Sequence, residues 1–98
     1  MYKVLLIDDE AVILEGLKNL IDWEKLGTVI VDVAKDGKEG VKKIERHNPD
    51  IVISDIAMPN CSGIELLKRT EELDMGIKVI LLSGYQEFEY ARAAVRYG

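Results

Sequence analysis

The sequence predicts an α/β domain of the doubly wound type, a parallel sheet with helices on both faces, and three observations carry that prediction. Apolar, β-rich runs alternate with amphipathic runs along the whole of the 98 residues, which is the pattern of βα units. The strand runs are apolar without alternation, as in Val4-Leu5-Leu6-Ile7 and Ile51-Val52-Ile53, and strands of that kind need cover on both faces. No linker, repeat or low-complexity stretch interrupts the order, so residues 1–98 are expected to form one domain.

The first strand is expected over Lys3 to Ile7. Asp8 or Asp9 can cap the helix that follows, whose apolar residues Val12, Ile13, Leu17, Leu20 and Ile21 are expected to face inward. Trp23, Leu26 and Gly27 close that helix, with Trp23 packing against its end. A second strand, Thr28 to Ala34, leads through Asp36-Gly37 to a helix over Lys38 to His47 that turns Val41 and Ile44 inward. Asn48-Pro49 stops it, because the residue before a proline avoids the helical region. The third strand, Ile51 to Ser54, ends at Asp55. A turn containing Pro59, Asn60, Ser62 and Gly63 precedes a helix through Ile64, Leu66, Leu67 and Leu73. The fourth strand, Ile77 to Leu82, ends at Ser83-Gly84, and a last helix from Glu87 to Tyr97 buries Phe88, Ala91, Ala94 and Val95 ahead of a C-cap at Gly98.

Composition narrows the function. A content of 48% apolar and 32% charged residues with two prolines excludes disorder. The formal charge of −5, with basic residues scattered rather than clustered, argues against direct contact with nucleic acid. The single cysteine, Cys61, requires no oxidising compartment, and the N-terminal apolar run is too short for a signal peptide or membrane span. A cytoplasmic protein without membrane contact is therefore expected.

Right-handed crossovers bring the C-terminal ends of parallel strands to one edge, where ligands of open α/β sheets bind. Asp8, Asp9, Asp55 and Ser83 stand at those ends. Carboxylates gathered there repel one another, by about 4 kcal/mol for a pair 4 Å apart at an effective dielectric near 20. A divalent cation relieves the repulsion, and Mg²⁺ suits an all-oxygen site that keeps waters and meets a phosphate. One carboxylate could then act as a nucleophile towards a phosphoryl group. Asp55, alone on its strand end, is the candidate, while the adjacent Asp8 and Asp9 are placed to share the cation. The Ser83 hydroxyl and the backbone N–H of Gly84 could bind phosphoryl oxygens. Singly, each aspartate is more often a plain helix cap than a ligand; together at several strand ends they favour function.

Four blocks carry a resemblance to a known family: Leu6-Ile7-Asp8-Asp9-Glu10; Pro49-Asp50-Ile51-Val52-Ile53-Ser54-Asp55-Ile56-Ala57-Met58-Pro59; Gly63; and Leu82-Ser83-Gly84-Tyr85. In this order and spacing the chain resembles, over its whole length, the receiver domain of a two-component response regulator. The resemblance implies a flavodoxin-like sheet of strand order 2-1-3-4. It implies Asp55 as phosphoacceptor, and Asp8, Asp9, Asp55 and the main-chain carbonyl of Ala57 as ligands of Mg²⁺. Ser83 becomes the switch hydroxyl, with Gly84 N–H beside it. The implied partners are a sensor histidine kinase, which supplies the phosphoryl group, and a second copy of the chain in a homodimer. The receiver catalyses only its own phosphorylation and dephosphorylation, and its product is a conformational signal.

The segments Trp23-Glu24-Lys25-Leu26-Gly27, Phe88-Glu89-Tyr90-Ala91 and Ala94-Val95-Arg96-Tyr97-Gly98 further resemble receivers joined to an AraC-type helix-turn-helix domain. That likeness implies control of transcription by an output DNA-binding domain in a longer parent protein. Family receivers continue into a fifth strand ending in Lys-Pro and a fifth helix, which these residues do not include. Lys78 begins the fourth strand, at the edge opposite the acidic residues, and does not replace the family lysine. Val79-Ile80-Leu81-Leu82 is then expected to form an exposed apolar edge that recruits another chain. The alternative function is a receiver-like interaction module that signals without phosphorylation, which only the missing lysine favours. A phosphatase of the haloacid dehalogenase type would want Asp-x-Asp after the first strand, where the chain has Asp8-Asp9-Glu10. His47 is expected to cap its helix or lie in solvent. Tyr85 either packs in its loop or gates Asp55.

Overall fold

The structure is a computed structural model that describes residues 1–55, 63–72 and 76–82. Its elements are β1 (Tyr2–Ile7), α1 (Ala11–Leu20), a short 3-10 turn (Glu24–Leu26), β2 (Thr28–Ala34), α2 (Gly37–His47), β3 (Ile51–Asp55), α3 (Gly63–Glu72) and β4 (Lys78–Leu82). The strands form one sheet in the order β2-β1-β3-β4, and every pairing is parallel. The alternating β and α elements and the strand order are those expected. Strand and helix bounds differ from the expected ones by a residue at Tyr2, Gly37, Asp55, Gly63 and Lys78, and α1 ends at Leu20, before Ile21. The expected helix over residues 87–97, its Gly98 cap and Leu73 lie outside the described residues.

The uninterrupted apolar runs work as two sets of side chains. Strand period two sends Leu5, Ile7 and Val52 to one face, where they pack with Ala34 and Ile44. It sends Val4 and Leu6 to the other, where they meet Leu14 of α1. Val4, Leu5 and Leu6 are all fully buried, so β1 is the centre of both layers. On the first face α2 comes close enough that a Cβ added at Gly40 would stand 2.5 Å from Cδ1 of Ile7. Glycine at that turn of the helix is what lets α2 lie on β1.

α1 corrects two expectations. Its buried residue is Leu14, with Leu17 half-buried, whereas Val12, Ile13 and Leu20 are exposed by 80%, 40% and 86%; the half-buried Ile21 is the extended residue that follows the helix. At about 100° per residue, Leu14 and Leu17 share one narrow arc, Ile13 and Leu20 lie beyond the same edge of it, and Val12 points away. The apolar stripe is wider than the arc the sheet covers. The second correction concerns the cap: the N-cap is Glu10, which makes no side-chain cap bond. Asp8 instead holds the turn before the helix, its Oδ1 accepting from the Glu10 N–H at 2.9 Å. The far end of α1 is closed by Trp23, whose indole N–H donates to the Leu17 carbonyl at 3.0 Å. Trp23 leads into a separate 3-10 turn that ends at Gly27 in the left-handed region, φ 72°.

α2 is well bounded. The Asp36 side chain accepts from the Glu39 N–H at 2.7 Å, and Asn48 ends the helix in the left-handed region at φ 46°, a conformation asparagine tolerates better than most residues. The register of β1 on β2 shifts between Val4 and Leu5, which pair with Ile30 and Asp32 and leave Val31 as the extra residue. Asp32 thereby faces α2. It receives Lys43 Nζ at 3.1 Å on Oδ1 and meets His47 Nε2 at 2.9 Å on Oδ2, and Lys43 also pairs with Glu39 at 3.0 Å. His47 is thus neither a free cap nor a solvated side chain. Burial raises the Asp32 carboxyl, but the Val33 N–H, Lys43 and His47 outweigh it and hold it below the usual range. The stability this contributes is present above the unfolded carboxylate pKa and is lost as pH falls through the folded one.

Among the described residues β4 is an edge strand, as expected, with Ile80 and Leu82 exposed by 49% and 37% and Val79 packed on the core. No helix among the described residues is long and apolar enough to cross a membrane.

Candidate metal centre at the carboxyl edge

Register and pleat bring the acidic residues together. β1 and β3 are parallel neighbours whose last paired positions are Ile7 and Ser54, so Asp8 and Asp55 are the next residues on adjacent strands. Period two gives Asp8 the face of Val4 and Leu6, and gives Asp55 the face of Ile51 and Ile53, which is the same α1-covered face. Asp9 follows in the turn. Each of the three offers a carboxylate oxygen within 4.8 Å of the other two.

Their environments differ. Asp8 is 5% exposed, Asp55 is half-buried and Asp9 is exposed. The Asp8 N–H donates to the Ala34 carbonyl at 3.0 Å, which extends the β1–β2 ladder to the site and fixes the backbone there. Burial pushes the Asp8 carboxyl above its usual range, and the Asp9 and Glu10 charges add to the effect against the opposing Glu10 N–H. A donor set of three hard carboxylate oxygens, one of them desolvated beside like charge, fits Mg²⁺. Among the described residues, no thiolate or imidazole donor, which would suit zinc or copper, joins the cluster.

The raised Asp8 pKa has a defined consequence. Because the folded state holds the proton more tightly than the unfolded one, ionised Asp8 lowers stability above the unfolded pKa, and that cost is relieved as pH falls. Asp8→Asn keeps an oxygen for the Glu10 N–H and removes the charge. Without divalent cation it is expected to raise Tm. Added Mg²⁺ should raise the wild-type Tm by more than it raises the variant's. Equal Mg²⁺ shifts in both melts would remove Asp8 from the site.

The structure therefore gathers Asp8, Asp9 and Asp55. Ala57, Ser83 and Gly84, and with them Met58, Pro59, Cys61 and Tyr85, lie outside the described residues. Lys78 stands at the start of β4, its N–H on the Asp50 carbonyl, at the sheet edge opposite the cluster. A separate groove of about 630 Å³ between α2 and α3 is lined by Lys38, Lys42, Glu45, Lys68 and Arg69 among others and includes none of the three aspartates. Sequence reasoning passed over Ser54. This fully buried residue precedes Asp55, and its hydroxyl donates to the Asp55 carbonyl at 2.9 Å. The signal was a hydroxyl residue in an otherwise apolar strand.

A parallel doubly wound sheet with an acidic cluster beyond its carboxyl ends defines an α/β domain of the flavodoxin-like class. Residues 4–98 match the profile of the response regulator receiver domain, and the chain belongs to that family. It is 45% identical over 98 residues to the uncharacterized transcriptional regulatory protein YesN of Bacillus subtilis, covering all of this chain and 27% of that protein. It is 42% identical over 97 residues to the transcriptional regulatory protein HptR of Staphylococcus aureus, covering 99% of this chain and 38% of that one. The chain thus spans about a quarter to two-fifths of the length of these relatives. Among solved structures, the receiver domain of AraT, a response regulator from Geobacillus stearothermophilus, superposes with a TM-score of 0.92 at 38% identity, over 99% of this chain and 75% of that one. A two-component transcriptional regulator AraC from Clostridium phytofermentans superposes at 0.87 with 34% identity, over 96% and 73%.

Proposed function

We propose that this chain is a single receiver domain that accepts a phosphoryl group from a sensor histidine kinase onto Asp55 and passes the change to an output domain that controls transcription. The convergence of the Asp8, Asp9 and Asp55 carboxylates carries this reading. Bound Mg²⁺ would neutralise charge on the cluster and on the incoming phosphoryl group. Asp8 and Asp9 would hold the cation, with Asp55 and, by family resemblance, the Ala57 carbonyl. An Asp55 carboxylate oxygen attacks phosphorus, the P–N bond of the donor phosphohistidine breaks, and its electron pair returns to the imidazole. By the same resemblance, Ser83 and the Gly84 N–H receive the phosphoryl oxygens. The parent protein acts in the cytoplasm, pairs as a homodimer when phosphorylated and contacts DNA through its output domain; this domain itself touches neither nucleic acid nor membrane. The names of YesN, HptR, AraT and AraC, each a transcriptional or response regulator, support the assignment to transcription.

Intact mass after incubation with Mg²⁺ and acetyl phosphate tests the proposal. The expected result is one added phosphoryl group that disappears when the cation is chelated. No addition, in this chain or in a form extended to the length of a family receiver, would leave the phosphorylation-independent interaction module. Sedimentation with and without beryllofluoride and Mg²⁺ reads dimerisation; unchanged mass in both conditions would remove the homodimer.

A further inference from the structure

We infer that Ser54 is a positioning residue for Asp55: its buried hydroxyl fixes the backbone of the phosphoacceptor and thereby aims the carboxylate at Asp8. The inference rests on the cation-binding reading of the cluster. Asp55 is the last residue of β3, and its two sides are held differently. Towards β4 it is paired in register with Leu82. Towards β1 the ladder stops one residue earlier, at Ile7 and Ser54. The backbone of Asp55 therefore leaves the central pairing of the sheet at the point where its side chain must be held most firmly.

Ser54 reinforces that point. Its side chain lies on the face of Ile7 and Val52, opposite the carboxylate of Asp55, and is 0% exposed. The hydroxyl donates to the Asp55 carbonyl at 2.9 Å, which restrains rotation about the Cα–C bond of Asp55. Register pairing with Leu82 of β4 holds the same residue from the other side. With both peptide units fixed, the Cα–Cβ direction is fixed, and the carboxylate is delivered to the cluster rather than swinging across the strand end. An apolar residue would fill the same buried space at lower desolvation cost. A hydroxyl aimed at the carbonyl of the site residue is the arrangement that positioning requires.

The test compares Ser54→Ala, which deletes the donor, with Ser54→Thr, which restores it. Mg²⁺ affinity is read from amide shifts in NMR titrations, and the side-chain χ1 of Asp55 from three-bond couplings without metal. Ser54→Ala is expected to weaken Mg²⁺ binding about tenfold, equivalent to about 1.4 kcal/mol, and to average the Asp55 χ1 between rotamers. Ser54→Thr should recover both. Thermal melts of each variant separate this from a loss of fold, and Ser54→Cys, which keeps the volume with a weaker donor, replaces alanine if that variant does not fold. Wild-type affinity and a single Asp55 rotamer in Ser54→Ala would overturn the inference, as would a loss that threonine does not repair. If the wild type binds no Mg²⁺, the cation reading fails on its own account, and the couplings still decide whether Ser54 orders Asp55.

Discussion

Asp55→Asn is expected to abolish Mg²⁺-dependent phosphoryl incorporation, a loss on the order of 1,000-fold or more, as removal of an attacking nucleophile commonly gives. Asparagine has nearly the volume of aspartate, so the half-buried position at the end of β3 keeps its packing. What disappears is the anionic oxygen proposed to form the bond to phosphorus, and one of the three carboxylates that make the cluster. The two losses separate experimentally. Mg²⁺ binding should weaken but persist through Asp8 and Asp9, while the mass gain vanishes. A mass gain of undiminished size in the variant would assign the phosphoryl group to another residue.

Leu5→Ala is expected to destabilise the chain by about 3 kcal/mol, within the range for leucine deletions from a filled core. The melting temperature should fall by more than roughly 10 °C in a domain of this length. Leu5 is fully buried in the central strand, in the same cluster as Ile7, Ala34, Ile44 and Val52. Neighbours from three strands and α2 must either collapse onto the hole or leave it empty. The contrasting variant is Leu20→Ala. Leu20 belongs to an equally apolar stretch but is 86% exposed, so its removal should change stability by no more than about 0.5 kcal/mol. Similar melting temperatures for the two variants would mean that α1 presents a different face from the one described.

That contrast also marks how far the sequence could be read. The sheet was legible because Val4 to Ile7 and Ile51 to Ile53 are too apolar for strands with a wet face. The convergence of Asp8 with Asp55 was legible too, since parallel strands end together. Strand order came from family resemblance rather than from the residues. The face of α1 was not legible: Val12, Ile13, Leu14, Leu17 and Leu20 cover more than half the helix, and how the helix sits on the sheet decides which of them are covered. Nor could the sequence place His47 against Asp32, because that contact depends on the extra residue at Val31, which rotates Asp32 towards α2. The role of Ser54 was hidden for a related reason, as its partner is a backbone carbonyl that leaves no trace in composition.

The registry of β1 against β3 bears on how such a domain can change over generations. Asp8 and Asp55 share a face because each lies an even number of positions beyond a core residue on its own strand, Val4 and Leu6 in one case and Ile51 and Ile53 in the other. A substitution at Val4 or Ile53 trades one apolar shape for another and leaves the parity intact. One inserted or deleted residue in either strand reverses the parity and carries an aspartate to the opposite layer. The acidic cluster therefore constrains the lengths of these two strands more tightly than it constrains their composition.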